Sequence, residues 1–196
     1  MNRFAARMAT ALLAATLMLG AALIATAQES ASKHPVPDKA QGYCTQTGGQ
    51  VGDFYPAYGT NGGNPLKLAG ERAFCVYTAS DHSQIFLLTS TLYTLQPSLA
   101  ALAYYAQEPP NGTCEGNPAS CYCTQLGGSD QFGGTTGAGG GWVDPNNTSF
   151  VLEACIMPDL SSIDSWGLYY HSAGVIRGID LSTVLRYKNP YDARKP

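Results

Sequence analysis

Three histidines and six cysteines are the residues of this chain whose chemistry is most versatile. His34 sits beside two prolines in a flexible leader, His82 lies inside Asp81-His82-Ser83, and His171 follows Tyr169-Tyr170. Asp81-His82-Ser83 holds the residue types of a hydrolytic triad, but contiguous residues cannot reach the mutual geometry a triad needs. A secreted hydrolase built on His82 or His171 would have to draw partners from distant parts of the chain. No catalytic residue follows from the sequence itself, and a non-enzymatic protein is expected.

The cysteines are Cys44, Cys75, Cys114, Cys121, Cys123 and Cys155, an even set that reads as disulfides in an exported chain. Cys121-x-Cys123 is too closely spaced for a structural zinc site and has no second half-site, so no metal and no other cofactor is expected. The glycine run Gly133–Gly141 is not a phosphate loop, because no lysine follows it and no helix stands behind it. A mobile surface loop is expected there. Phe54, Tyr55 and Tyr58 precede Asn61-Gly62-Gly63-Asn64, and Trp142 follows the glycine run. Loop aromatics beside Asn and Gly can stack on sugars or anchor a protein, so these four rings are the expected binding surface. An envelope protein or a glycan is the expected partner.

The start of the chain decides the compartment. Arg3 and Arg7 precede an apolar stretch from Met8 to about Ile24, and Ala25-Thr26-Ala27 supplies small residues before Gln28. That is a secretory signal over residues 1–27, with cleavage before Gln28 into a periplasmic or secreted, soluble product. No later stretch approaches a membrane-spanning length. Removing the signal leaves 169 residues with 9 basic and 14 acidic side chains, a net charge near −5. Between Ala40 and Ile176 the basic side chains are Lys67 and Arg72 alone, and Arg177, Arg186, Lys188, Arg194 and Lys195 gather near the end. An acidic body of this kind does not suit nucleic acid.

An internal repeat organises what remains. Tyr43-Cys44-Thr45-Gln46-Thr47-Gly48-Gly49 recurs as Tyr122-Cys123-Thr124-Gln125-Leu126-Gly127-Gly128 at an offset of 79, and Cys75 recurs as Cys155 at 80. Ala103-Tyr104-Tyr105-Ala106 resembles Leu168-Tyr169-Tyr170-His171 at 65, which places an insertion of about fifteen residues in the first copy, around Ile85–Thr89. Asn117 caps a helix that opens with Pro118 and closes at Gly127-Gly128. Asp38 and Gln41 open its counterpart. Ala119, Tyr122, Cys123 and Leu126 share one helical face, as do Ala40, Tyr43, Cys44 and Thr47.

Strands are expected at Ala73–Tyr77, Phe150–Ile156, Gln50–Tyr55 and Gly141–Val143. A closing helix follows in each copy, buried through Leu99, Leu102, Ala103 and Ala106 in the first and through Ile163, Trp166, Gly167 and Tyr170 in the second. The expected fold is α+β: two tandem disulfide-stabilised modules, each helix-strand-strand-helix. The repeat pairs Cys44 with Cys75 and Cys123 with Cys155, which leaves Cys114 for Cys121. The boundaries are a leader at 28–37, a first module at 38–108, a linker at 109–116, a second module at 117–174 and a basic, solvated tail at 175–196.

Asn117-Pro118-Ala119-Ser120-Cys121-Tyr122-Cys123-Thr124-Gln125-Leu126-Gly127-Gly128 resembles the opening of a small bacterial domain of unknown function, NPAS-x-YC-x-x-x-GG, whose members are often labelled haemolysins. Ala154-Cys155-Ile156 and Ile163-Asp164-Ser165-Trp166-Gly167-Leu168-Tyr169-Tyr170 are similar to that domain's second cysteine and its acidic-Trp-aromatic ending. The resemblance covers about 60 residues of the second copy and, more weakly, the first. It implies a short exported or lipid-anchored bacterial protein and transfers no active site. Pore formation would call for an amphipathic hairpin or helix, and the apolar run at Ile85–Thr89 is brief.

Overall fold

A computed structural model describes residues 38–62, 64–130 and 137–189. The expected signal and leader lie outside the described residues, as does the Gly133–Thr136 part of the glycine run.

The two repeated segments form matching helices. In α1 (Lys39–Gln46) the Asp38 carboxylate accepts from the Ala40 amide, and Ala40 and Cys44 are buried. In α4 (Pro118–Gln125) the Asn117 side chain accepts from the amides of Ala119 and Ser120, and Ala119, Tyr122 and Cys123 are buried. Each helix ends on a glycine with positive φ, Gly48 at 88° and Gly127 at 83°, which an L side chain adopts only at a cost. The next glycines, Gly49 and Gly128, return their amides to the Cys44 and Cys123 carbonyls, both at 2.9 Å.

Between α1 and α4 run β1 (Gln50–Tyr58), β2 (Leu66–Lys67), β3 (Arg72–Thr78), β4 (Gln84–Leu88), α2 (Thr89–Tyr93) and α3 (Leu99–Ala106). After α4 come β5 (Gly140–Asp144), β6 (Asn147–Leu152), β7 (Ala154–Ile156), β8 (Ser162–Asp164), α5 (Ser165–Ser172) and α6 (Leu181–Val184). The strands form one antiparallel sheet in the order β6-β5-β1-β3-β4-β8-β7, with β2 added beside β1. β6 and β7 stand at opposite ends of that order, yet Leu152 and Ala154 are separated by Glu153 alone. Consecutive residues can occupy both ends only if the sheet curls.

The curl sorts the core into two parts. Phe54, Phe74, Phe86, Trp142 and Leu152 fill its inner side, with the rings of Phe74 and Trp142 5.3 Å apart. The helices cover the other side over Tyr77, Leu87, Tyr104, Tyr122, Ile163 and Leu168. The disulfides are Cys44–Cys75, Cys114–Cys121 and Cys123–Cys155. The first and third are fully buried against the helices, whereas Cys114 and Cys121 are only half-buried.

The α+β class holds, and the strands of both halves join a single sheet: β1 pairs with β5, and Leu87 of β4 pairs with Ile163 of β8. The register also corrects the expected correspondence near the closing helices. Cys75 pairs with Leu87 as Cys155 pairs with Ile163, and α2 follows β4 directly as α5 follows β8. Leu92-Tyr93 thus takes the place relative to its cysteine strand that Leu168-Tyr169 takes, and Ile85–Thr89 is not an insertion. Tyr43 meets Tyr93 edge-on at 5.7 Å, as Tyr122 meets Tyr169 at 6.2 Å.

Two further expectations change. In α3 the buried side chains are Ala100, Ala101, Tyr104 and Tyr105, while Leu99 and Leu102 are exposed. The Tyr104 hydroxyl sets that rotation, accepting from the Leu181 amide at 3.0 Å. The described part of the basic tail is not a solvated segment, because Leu181, Val184 and Leu185 are buried in the helix-side core. Arg186 lies over the Tyr93 ring, 4.0 Å from its centroid.

Candidate functional site

The rings expected to form a binding surface are mostly spent on packing. Phe54, Tyr55 and Trp142 are buried, and Tyr58 alone is exposed, at 37 %. Phe54 and Trp142 point to the inner side from β1 and β5, and Tyr55, the next residue and so on the opposite face, packs with Ala57 and Val143. The glycine run after residue 136 is docked: Asn61 donates through its side chain to the Gly137 carbonyl and through its amide to Ala138.

The histidines separate. His82 is exposed with φ of 66° in the β3–β4 turn, where its amide donates to the Ala79 carbonyl. Asp81 accepts from the Ser83 amide at 2.9 Å, so the triad-like residues build a turn. His171 is buried and stacked on Tyr104, with centroids 3.7 Å apart and planes 5° from parallel. Its surroundings form a hollow of about 310 Å³ that includes Gln107 and Asp180. The Asp180 carboxyl is held below the usual range: burial opposes this, while hydrogen bonds from Ser182 and Tyr104 and the nearby His171 favour it. Ile85–Leu88 is core strand. No group of His, Cys, Asp and Glu among the described residues could hold a metal ion.

A larger cleft, of about 400 Å³, opens where the two ends of the curled sheet approach each other. Phe86 of β4, Phe150 of β6, Glu153, Asp164 and the α5 rings Trp166 and Tyr170 line it, with Arg177 at its edge. Glu153 is the one residue between β6 and β7, and Asp164 ends β8 just before α5. The Ala154–Asp164 pairing of β7 with β8 brings Asp164 opposite the residue that follows Glu153. Glu153 Oε2 accepts from Trp166 Nε1 at 2.7 Å and from Asn117 Nδ2 at 3.0 Å. Trp166 and Tyr170, one helical turn apart, are stacked with centroids 5.8 Å apart and planes 29° from parallel. The Arg177 guanidinium covers Tyr170 at 5.0 Å and donates to the Gln84 carbonyl.

Asp164 is only 4 % exposed. Burial pushes its carboxyl up to about 7; the amides of Gly167 and Trp166 and the charge of Arg177 offset part of the rise, and Glu153 adds to it. A carboxyl shifted toward neutrality by burial and lying in a cleft is a candidate functional group.

The expected inward face of α5 held Trp166 and Tyr170 among its core residues. The structure buries Ile163 and Gly167 as expected, but adds Ser165, Leu168 and His171 and leaves both rings half-exposed in the cleft. Gly167 explains the difference, since a Cβ there would lie 2.7 Å from Ile85 Cγ1, so the helix packs on its glycine side. The acids gave a weaker signal, because nothing in the linear sequence places Glu153 beside Trp166.

Fold and cleft together define a disulfide-stapled α+β protein with a curled antiparallel sheet and one aromatic-carboxylate cleft at its seam. No family model, no curated protein and no solved structure matches the chain.

Proposed function

We propose that this chain is an exported binding module and that the Trp166 cleft takes a glycan. The stacked pair Trp166–Tyr170 beside the fixed carboxylate of Glu153 carries this reading. Sugar rings present an apolar face and a rim of hydroxyls; flat aromatic rings cover the first, and carboxylate or guanidinium groups bond the second. Three disulfides fit an oxidising compartment. No helix among the described residues is long and apolar enough to cross a membrane. The halves descend from one duplicated unit, a reading supported by the matched registers around Cys75 and Cys155 and by the shared glycine caps. Duplication accounts for two buried disulfides of equivalent placement, while the cleft draws its stacked ring pair, Trp166 and Tyr170, from the second half.

Trp142 and Trp166 are the two tryptophans of the chain, and Trp142 is buried. Titrating the protein with peptidoglycan strands and N-acetylglucosamine oligosaccharides, with fluorescence and calorimetry as readouts, tests the proposal. Saturable binding whose fluorescence change disappears in Trp166→Phe, and which Tyr170→Ala weakens about tenfold or more, supports it. Binding that is indifferent to both substitutions overturns it.

A second reading rests on the Asp164 carboxyl. A buried acid near pKa 7 beside Glu153 could protonate a glycosidic oxygen while Glu153 activates water for attack at the anomeric carbon. Release of reducing ends by the wild type and its loss in Asp164→Asn would establish hydrolysis; binding without release excludes it.

A further inference from the structure

We infer that the Trp166 cleft is one end of a longer groove along β6, which seats a linear chain of several sugars rather than a single ring. This inference rests on the glycan reading of the cleft and deepens it.

Continuity is the first ground. A second hollow, of about 250 Å³, shares Val151 and Glu153 with the Trp166 cleft. A third, of about 280 Å³, shares Val151 and Thr60 with the second. Hollows that share lining residues are neighbours, and here their order follows the strand from Glu153 back to Thr148. At the usual rise per residue of an antiparallel strand that is about 17 Å, room for several linked rings in line.

The far wall is also built in advance. Gly59 donates its amide to Gly139 at 3.0 Å, and Asn61 donates to Ala138 at 3.1 Å and through Nδ2 to Gly137 at 3.0 Å. The turn after β1 is thereby tied to the segment leading into β5. Gly139 has φ of 74°, and a Cβ there would stand 2.7 Å from Asn61 Cγ, so the closeness of the two segments depends on glycine. A wall fixed before the ligand arrives loses little freedom on binding.

The chemistry changes along the track. Glu153, Asp164 and Arg177 supply charge at the Trp166 end. The far end is lined by Thr60, Thr148, Ser149 and glycine backbone, with Asn61 between. Uncharged hydroxyl and amide groups in a row match the repeating hydroxyls of a neutral polysaccharide. A peptide would instead present alternating side chains, for which this end offers only Pro65 and Val151 as apolar lining.

Chain length is the variable that tests the groove. N-acetylglucosamine oligosaccharides of one to six sugars, and size-fractionated peptidoglycan strands, are titrated into the full mature chain. Affinity should rise about tenfold or more between two and six sugars. Ser149→Trp, at an exposed position, and Thr60→Trp, at a half-buried one, fill the far hollows. Each should reduce the six-sugar affinity to that of the two-sugar ligand and leave the two-sugar affinity unchanged. Affinity independent of length, with Trp166 still reporting binding, overturns the groove and leaves the cleft standing. Binding of an extended peptide with no glycan bound at any length overturns both.

Discussion

A Cβ placed on Gly49 would stand 2.3 Å from the Sγ of Cys75 and 2.8 Å from that of Cys44. Gly128 stands in the same relation to Cys155 and Cys123, at 2.5 and 2.9 Å. In both halves the chain leaves its first helix by passing directly over a disulfide, and only a residue without a side chain fits. Gly49→Ala and Gly128→Ala should each cost about 1–3 kcal/mol, because a buried disulfide cannot swing aside as a flexible side chain can. Gly42→Ala is the control. Gly42 is exposed inside α1 with nothing within 4 Å, so alanine there should stabilise by about 0.5–1 kcal/mol. Urea unfolding of the three variants reads all of these, and equal small losses at every position would refute the contact.

The disulfides divide by loop length. Cys44–Cys75 and Cys123–Cys155 join residues 31 and 32 apart, and Cys114–Cys121 joins residues 7 apart. Chain-entropy accounting then gives roughly 4 kcal/mol for each long loop and roughly 2.5 for the short one. Replacing each pair by alanine should lower the urea midpoint equally for the two long loops and less for the short one. The two buried pairs also leave cavities, which widens the gap. A larger loss from Cys114→Ala with Cys121→Ala would contradict this ranking.

These two relationships were within reach of the sequence because they depend on local repetition. The motif Tyr-Cys-Thr-Gln followed by Gly-Gly gives the helix, its end and the buried cysteine together. Long-range placement was not legible in the same way. The Tyr104-Tyr105 and Tyr169-Tyr170 pairs look alike in sequence, yet the register matches Tyr93, not Tyr104, to Tyr169. The cleft was hidden for a related reason. Ile163, Trp166, Gly167 and Tyr170 at helical spacing fit a buried face and a ligand platform equally well, and the packing of Gly167 on Ile85 decides between them. Phe54 and Trp142 were misplaced because flanking Asn and Gly pointed to loops, whereas β1 and β5 carry both rings into the core.

Asp164 should make stability depend on pH in a window that its position dictates. Its carboxyl rises from an ordinary 3.8 to about 7 in the fold because burial disfavours the charge. The folded state therefore holds the proton more tightly than the unfolded chain. Stability should fall as pH climbs from about 4 to about 7 and level off above, with a total change on the order of a few kcal/mol. Asp164→Asn cannot ionise and should lack that slope. Unfolding midpoints of the two proteins should diverge in favour of the Asn variant across this range. Parallel pH curves would show that Asp164 ionises as freely in the fold as in the unfolded chain.

Glu153 ties the cleft to the start of α4, since one oxygen accepts from both Trp166 Nε1 and Asn117 Nδ2. Asn117 also caps α4 through its own side-chain oxygen, so the acid orients a cap and a platform ring at once. Glu153→Gln keeps the shape and removes the charge that strengthens both bonds, and should cost about 1–2 kcal/mol. Trp166→Phe keeps a ring in place and removes the indole donor. If the bond between them is what holds the ring, the two losses should not add, and a double-mutant cycle should return a coupling of about 1 kcal/mol. Additive losses would mean that Trp166 is held by packing alone. In that case Glu153→Gln would lower glycan affinity only through the lost carboxylate contact to sugar; with coupling, it should also loosen the ring, and affinity and stability should decline together.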